Sequence, residues 1–126
     1  MKILLIEPYN DLAQTTKAWL ENANHRVSIS STAQHAIHQA ESSPDVVVLE
    51  LALSGHNGLE FIYEFRSYLD WQNIPIIIYS HIPPEVFALS NSQKKRLNIV
   101  AHLYKPTTSF YKLEEVIMEQ AVGSNR

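Results

Sequence analysis

The chain has 126 residues and a mass of 14.4 kDa, enough for one domain core and too little for two. Its 45% hydrophobic and 18% charged residues exclude the composition of a disordered chain, and no apolar run is long enough to span a bilayer. Ten basic against thirteen acidic residues give a net charge of −3, which excludes a global positive field for nucleic acid or an anionic membrane; the absence of cysteine excludes disulfides, thiol catalysis and thiolate metal sites.

Met1-Lys2 leads directly into Ile3 to Ile6, an apolar run too short for a signal-peptide core but the right size for a buried strand, so a cytoplasmic protein is expected. Asn10 is a candidate cap for a helix with Leu12, Thr16, Trp19, Leu20 and Ala23 on one face, and Asn24 stands where a left-handed terminator is wanted. Arg26 to Ser30 alternates like a strand near the sheet edge. Thr32 then precedes a helix with Ala33, Ala36, Ile37 and Ala40 inward, and Asp45 to Leu49 is a second buried strand. Gly58 precedes Leu59, Ile62, Phe65 and Leu69 at helical spacing, followed by the apolar run Ile74 to Tyr79.

A fourth helix is expected to open near Pro84, with Val86, Leu89 and Leu97 apolar, a weak middle at Ser90-Asn91-Ser92 and a left-handed stop at Asn98. Ile99 to Tyr104 is a second edge strand. Phe110, Leu113, Val116 and Ile117 mark a last helix through about Val122. The expected organisation is one domain over 1–122 and a disordered tail over 123–126, with no output domain attached.

Five strand–helix units are too few for a closed eight-fold barrel, so the fold class expected is α/β, an open doubly wound (βα)5 three-layer sandwich. Such sheets collect function at the carboxyl ends of their strands, here Glu7, Ser30, Glu50, Ser80 and Tyr104-Lys105. Glu7, Glu50, Ser80 and Lys105 would converge on one shallow cleft. As residue types they suit a divalent cation on the carboxylates, an anion on Ser80 and Lys105, or a self-neutralised buried ion pair.

The segments Lys2-Ile3-Leu4-Leu5-Ile6-Glu7, Pro44 to Gly58 (PDVVVLELALSGHNG), Ile74 to Ser80 (IPIIIYS) and Leu103-Tyr104-Lys105-Pro106 resemble the receiver domain of bacterial response regulators, the CheY-like, flavodoxin-like fold. The resemblance covers essentially the whole chain and implies a parallel sheet in order 2-1-3-4-5. In that family an aspartate at the position of Glu50 accepts a phosphoryl group from a histidine kinase, and an acidic pair after the first strand holds magnesium. This chain departs at both places: Glu50 replaces the aspartate, and Pro8 takes the second acidic position, leaving Glu7 alone. Ser80 and Lys105 match the switch hydroxyl and the lysine that contact the phosphoryl group. Pro106 is a candidate for a cis peptide or a turn.

The extra methylene carries the Glu50 carboxylate roughly 1.5 Å further into the cleft, which spoils the positioning that phosphoryl transfer requires. Phosphorylation is therefore expected to be slow or absent. Magnesium is expected to bind weakly at most, through Glu7 and Glu50, and no other cofactor or enzymatic activity is expected. The longer acid, within reach of Lys105 and Ser80, either holds the switch in an active-like state or forms only a structural pair. The aromatic switch position on the fifth strand is occupied by His102, so the linked motion is absent or replaced by a response to protonation.

Partners are expected on the face formed by the fourth helix, fifth strand and fifth helix, with Lys94, Lys95, Arg96, Val100, His102 and Tyr111 as candidate contacts and a sensor kinase or an output protein as the partner class. Val100 and Ala101 replace acidic residues common in receivers, so a monomer or weak homodimer is expected rather than a charge-paired dimer. Three functional readings follow: a stand-alone atypical receiver acting by phosphorylation-independent protein contact, a receiver still phosphorylated with magnesium, and a small-molecule sensor using Glu7, Glu50, His81 and Lys105. A metal site of His56 and His81 with the two acids, or of His35 and His38, has no ligand-spacing motif behind it. Trp19 reads as a packing residue and Trp71 as a loop anchor, and Ser80 lacks the turn of a nucleophilic serine.

Overall fold

The computed structural model describes residues 1–54, 57–87 and 89–124. Strands β1 (Lys2–Ile6), β2 (Arg26–Ser30), β3 (Val46–Leu49), β4 (Ile76–Ser80) and β5 (Ile99–Tyr104) alternate with helices α1 (Asn10–Asn22), α2 (Ala33–Gln39), α3 (Gly58–Arg66), α4 (Asn91–Arg96) and α5 (Phe110–Ser124). All strand pairs are parallel and the order is β2-β1-β3-β4-β5, the architecture expected. Because side chains alternate across a strand, each buried strand feeds two cores. Leu4, Ile6, Val47, Leu49, Ile76 and Ile78 meet α2, α3 and Leu97 on one face. Ile3, Leu5, Val46, Val48, Ile77 and Tyr79 meet α1 and α5 on the other.

Local chemistry sets the boundaries. Thr32 and Asn57 cap α2 and α3 by accepting the backbone N–H of His35 and Glu60. Asn24 and Asn98, at φ of 72° and 52°, occupy the left-handed conformation that an asparagine tolerates. β4 begins at Ile76 rather than Ile74: Pro75 has no N–H to give, and only its carbonyl joins the sheet, accepting from Val47 N at 3.0 Å. Gly58 lies so close to β3 that a Cβ there would stand 2.8 Å from the Leu51 Cα.

Further local expectations change. Asn10 is the first residue of α1, and Tyr9 holds the cap position without a side-chain bond. Leu69 is 82% exposed, because the chain leaves α3 after Arg66 and turns through a 3-10 segment, Leu69–Trp71, that buries Trp71 instead. The fourth helix does not open at Pro84. Ser90 begins it with a reciprocal capping box to Gln93, so the serine-rich stretch read as a weak middle is the helix start, and α4 is only six residues long. Of the two roles expected for Pro106, the turn is the one present: it lies in the 3-10 segment Lys105–Thr107, where its fixed φ and missing N–H suit the first positions, and no cis peptide bond occurs among the described residues. Finally, α5 runs through Ser124, so Gly123 and Ser124 are helical backbone rather than tail, while 125 and 126 lie outside the described residues.

Arg66, the last residue of α3, closes the end of the molecule opposite the strand carboxyl termini. Its guanidinium donates to the carbonyls of Leu97 and Trp71 at 2.7 Å each, Ile74 at 2.5 Å and Asn98 at 3.4 Å. Burial pushes its pKa down to about 10, which leaves it charged at neutral pH. One side chain thereby ties α3 to the start of β4 and to the α4–β5 turn.

Candidate functional site

Parallel pairing brings the carboxyl ends of β1, β3, β4 and β5 to one edge of the sheet. Glu7 follows β1 and its N–H is held by the Ser30 carbonyl at 2.9 Å; Glu50 follows β3 and its N–H is held by the Ile6 carbonyl at 3.0 Å. Ser80 ends β4 and Lys105 follows β5. All four side chains are buried: Glu7 is 3% exposed, Glu50 1%, Ser80 0% and Lys105 9%. The convergence expected from the topology is present.

Lys105 Nζ donates to Glu7 Oε1 and to Glu50 Oε1, the latter at 2.8 Å, and so lies between two carboxylates. Glu50 Oε1 also accepts the His81 backbone N–H at 3.1 Å and faces His81 Nδ1 at 3.2 Å. Its second oxygen, Oε2, accepts the Ser80 hydroxyl and the Ala52 N–H, the latter at 3.1 Å. Glu7 Oε2 accepts the Tyr9 N–H at 3.3 Å. The Lys105 ammonium also stands 5.4 Å from the Tyr79 ring centroid. Burial raises the Glu50 pKa, but the hydrogen bonds from Lys105, Ser80 and Ala52 and the Lys105 charge outweigh it and hold the carboxyl at about 2. Burial, reinforced by the Glu7 charge, pushes the Tyr79 phenol up.

From this cluster a hydrogen-bonded path leads to β5. Ser80 Oγ accepts the Ile82 N–H at 3.0 Å and the Leu51 N–H at 3.4 Å. The Ile82 carbonyl accepts from His102 Nε2 at 2.7 Å, and the Phe87 ring lies edge-on to the His102 imidazole at 5.8 Å. Burial lowers the His102 pKa below its ordinary value, opposed by the bond to Ile82.

The candidate partner residues divide. Lys94, Lys95 and Arg96 form the last turn of α4, and Val100 is 40% exposed on β5. Tyr111, at the start of α5, is 77% exposed, and its ring packs edge-on against Trp19 of α1 at 5.1 Å. The periodicity places Tyr111 one residue after Phe110 but does not reveal that Trp19 draws both rings toward α1. His35 and His38 are exposed on α2, and His56 lies outside the described residues. Among the described residues no group of three or more His, Asp or Glu is placed to hold a metal ion. The backbone contacts of Ala52, Ile82 and Tyr9 escape sequence reading because main-chain donors leave no residue signature. His81, which its place after β4 groups with Glu50, meets that carboxylate through its backbone N–H as well as its ring.

No protein-family model matches the chain. It is 29% identical over 79 residues to the KDP operon transcriptional regulatory protein KdpE of Escherichia coli (strain K12), a match spanning 62% of this chain and 34% of that protein. Its structure is similar to that of a two-component response regulator from Clostridium difficile, with a TM-score of 0.84 and 21% identity, covering 100% of this chain and 99% of the other. It is also similar to the CheY-like response regulator receiver domain from Methylobacillus flagellatus, with a TM-score of 0.79 and 20% identity over 95% and 98% of the two chains. The non-phosphorylated HemR receiver domain from Leptospira biflexa gives a TM-score of 0.79 and 22% identity over 94% and 92%. The fold is therefore the CheY-like α/β fold. No helix among the described residues is long and apolar enough to cross a membrane.

Proposed function

We propose that the chain is an atypical receiver module of a two-component-type signalling system that works by protein contact without being phosphorylated. The observation that carries this reading is the saturation of Glu50. Its two oxygens take hydrogen bonds from Lys105, Ser80, His81 and Ala52, so the lysine and the hydroxyl that would meet a phosphoryl group are already committed to the carboxylate. The longer side chain thus supplies from within what phosphorylation supplies from outside, a negative group bonded to Ser80 and Lys105. This supports an active-like state held permanently.

The residues do not suit magnesium, which demands near-octahedral oxygen ligands. Glu7 Oε1 and Glu50 Oε1 both face the Lys105 ammonium, and the neighbouring position is Pro8, which offers no carboxylate. A divalent ion would have to displace a buried cation from both acids. Output then rests with a partner such as a kinase or an effector protein on the α4–β5–α5 face, where the basic turn Lys94-Lys95-Arg96 adjoins the exposed Val100.

Amide chemical shifts recorded with and without magnesium plus beryllofluoride test the proposal. An unchanged spectrum is expected. Shifts running from Glu50 through Ser80 to His102 would overturn it and direct the search to a phosphodonor.

A further inference from the structure

His102 is held in a one-sided way. The Ile82 carbonyl can only accept, so the 2.7 Å bond fixes the proton on Nε2 and leaves the lone pair on Nδ1. Nδ1 is buried and has no hydrogen-bond partner among the described residues. A neutral imidazole tolerates this, because an unpaired acceptor is the lesser cost. A protonated ring would place a second N–H, and a full charge, where nothing accepts it.

We propose that His102 is a proton-operated latch on the loop between β4 and α4: neutral, it ties Ile82 to β5; protonated, it leaves its site and releases the loop. The charged groups facing the ring are Lys94 of α4, Glu85 of the loop and Glu50 at the end of β3. Lys94 opposes protonation in place, while Glu85 and Glu50 favour it, so the burial of Nδ1 decides the sign and the closed site prefers the neutral ring. For a group whose pKa is depressed in the closed state, closure is fully stable above the free value of 6.5 and weakens as pH falls toward the depressed one.

The loop so released lines a mostly apolar cavity of about 210 Å³, whose walls include Leu51, Leu59, Ile82, Val86 and Phe87. Phe87 packs on the His102 ring itself, and Ile82 reports to Ser80 through its N–H. Release of the latch therefore reshapes an apolar surface beside the partner face and loosens one of the two backbone donors on Ser80. The latch is independent of whether Glu50 can be phosphorylated, so failure of either idea leaves the other standing.

The experiment is a pH titration of the wild-type chain from 8 to 5, following the imidazole nitrogens of His81 and His102 by long-range 1H–15N spectra and the backbone amides of 82–87. The expected result is that His102 titrates with a midpoint below 6.5 and that the loop amides move in one sigmoid with the same midpoint. His102→Phe and His102→Gln abolish that sigmoid. Loop amides that stay still while His102 titrates, that follow the His81 midpoint instead, or that keep their transition in either folded variant would overturn the latch. Should neither variant fold, the comparison of midpoints in the wild type decides.

Discussion

The Lys105 ammonium stands 2.8 Å from Oε1 of Glu50, and both side chains are almost sealed from solvent. With Glu7 on its other side, this cation is what permits two carboxylates to share one buried edge of the sheet. Lys105→Met therefore leaves two like charges buried without a counter-ion. We expect a loss of about 3–5 kcal/mol at pH 7, the usual consequence of breaking a buried pair from one side, measured by urea unfolding. The deficit should shrink in acid, where the stranded carboxylates take up protons.

Glu50 gives the wild-type protein an acid limb. Its pKa falls from 4.5 to about 2 on folding, so its contribution is present above about 4.5 and is lost as pH drops toward 2. That shift corresponds to about 3 kcal/mol. Urea midpoints followed from pH 5 to pH 2 should fall steeply in the wild type and more gently in Glu50→Gln. Parallel slopes in the two proteins would show that another group carries the limb.

If the closed site is what prevents phosphorylation, restoring the acids should reopen it. Glu50→Asp alone shortens the carboxylate but leaves Pro8 in place, and we expect no magnesium-dependent change in intrinsic fluorescence. The double variant Pro8→Asp, Glu50→Asp should bind magnesium and gain the mass of one phosphoryl group with acetyl phosphate. Phosphorylation of the single variant would show that Glu7 and one aspartate are sufficient.

Arg66 yields a stability test remote from the site. Its guanidinium serves four carbonyls in diverging directions, which an ammonium with three donors on a flexible stem does not reproduce. Arg66→Lys should cost about 2–3 kcal/mol in urea unfolding by leaving carbonyls unsatisfied. Hydrogen exchange should accelerate at Ile74 and Leu97, which flank the sheet, before the strands themselves.

The architecture was legible because β1, β3 and β4 are nearly unbroken apolar runs and because α1, α2, α3 and α5 each carry an apolar stripe. Strand ends in a parallel sheet are forced together, so the sequence alone groups Glu7, Glu50, Ser80 and Lys105. The misreadings have local causes. Leu69 fits the period of α3, but Trp71 competes for the same cover and wins by burying a larger ring against Phe65. The segment before α4 reads as helix from Pro84 because propensity does not register a capping box at Ser90. The role of Arg66 leaves no mark in the sequence, since its four acceptors are main-chain atoms.

Among the described residues β5 pairs with β4 alone, so its far edge has no strand beside it. Its sequence, Ile99-Val100-Ala101-His102-Leu103-Tyr104, has no proline, no lysine and no acid to discourage a second chain from adding to the sheet. The strand is thus a template for intermolecular association whenever its neighbours loosen. Storage and refolding should be cleanest at low protein concentration, and a lysine at the exposed Val100 is the substitution that would protect the edge at the smallest cost to the core.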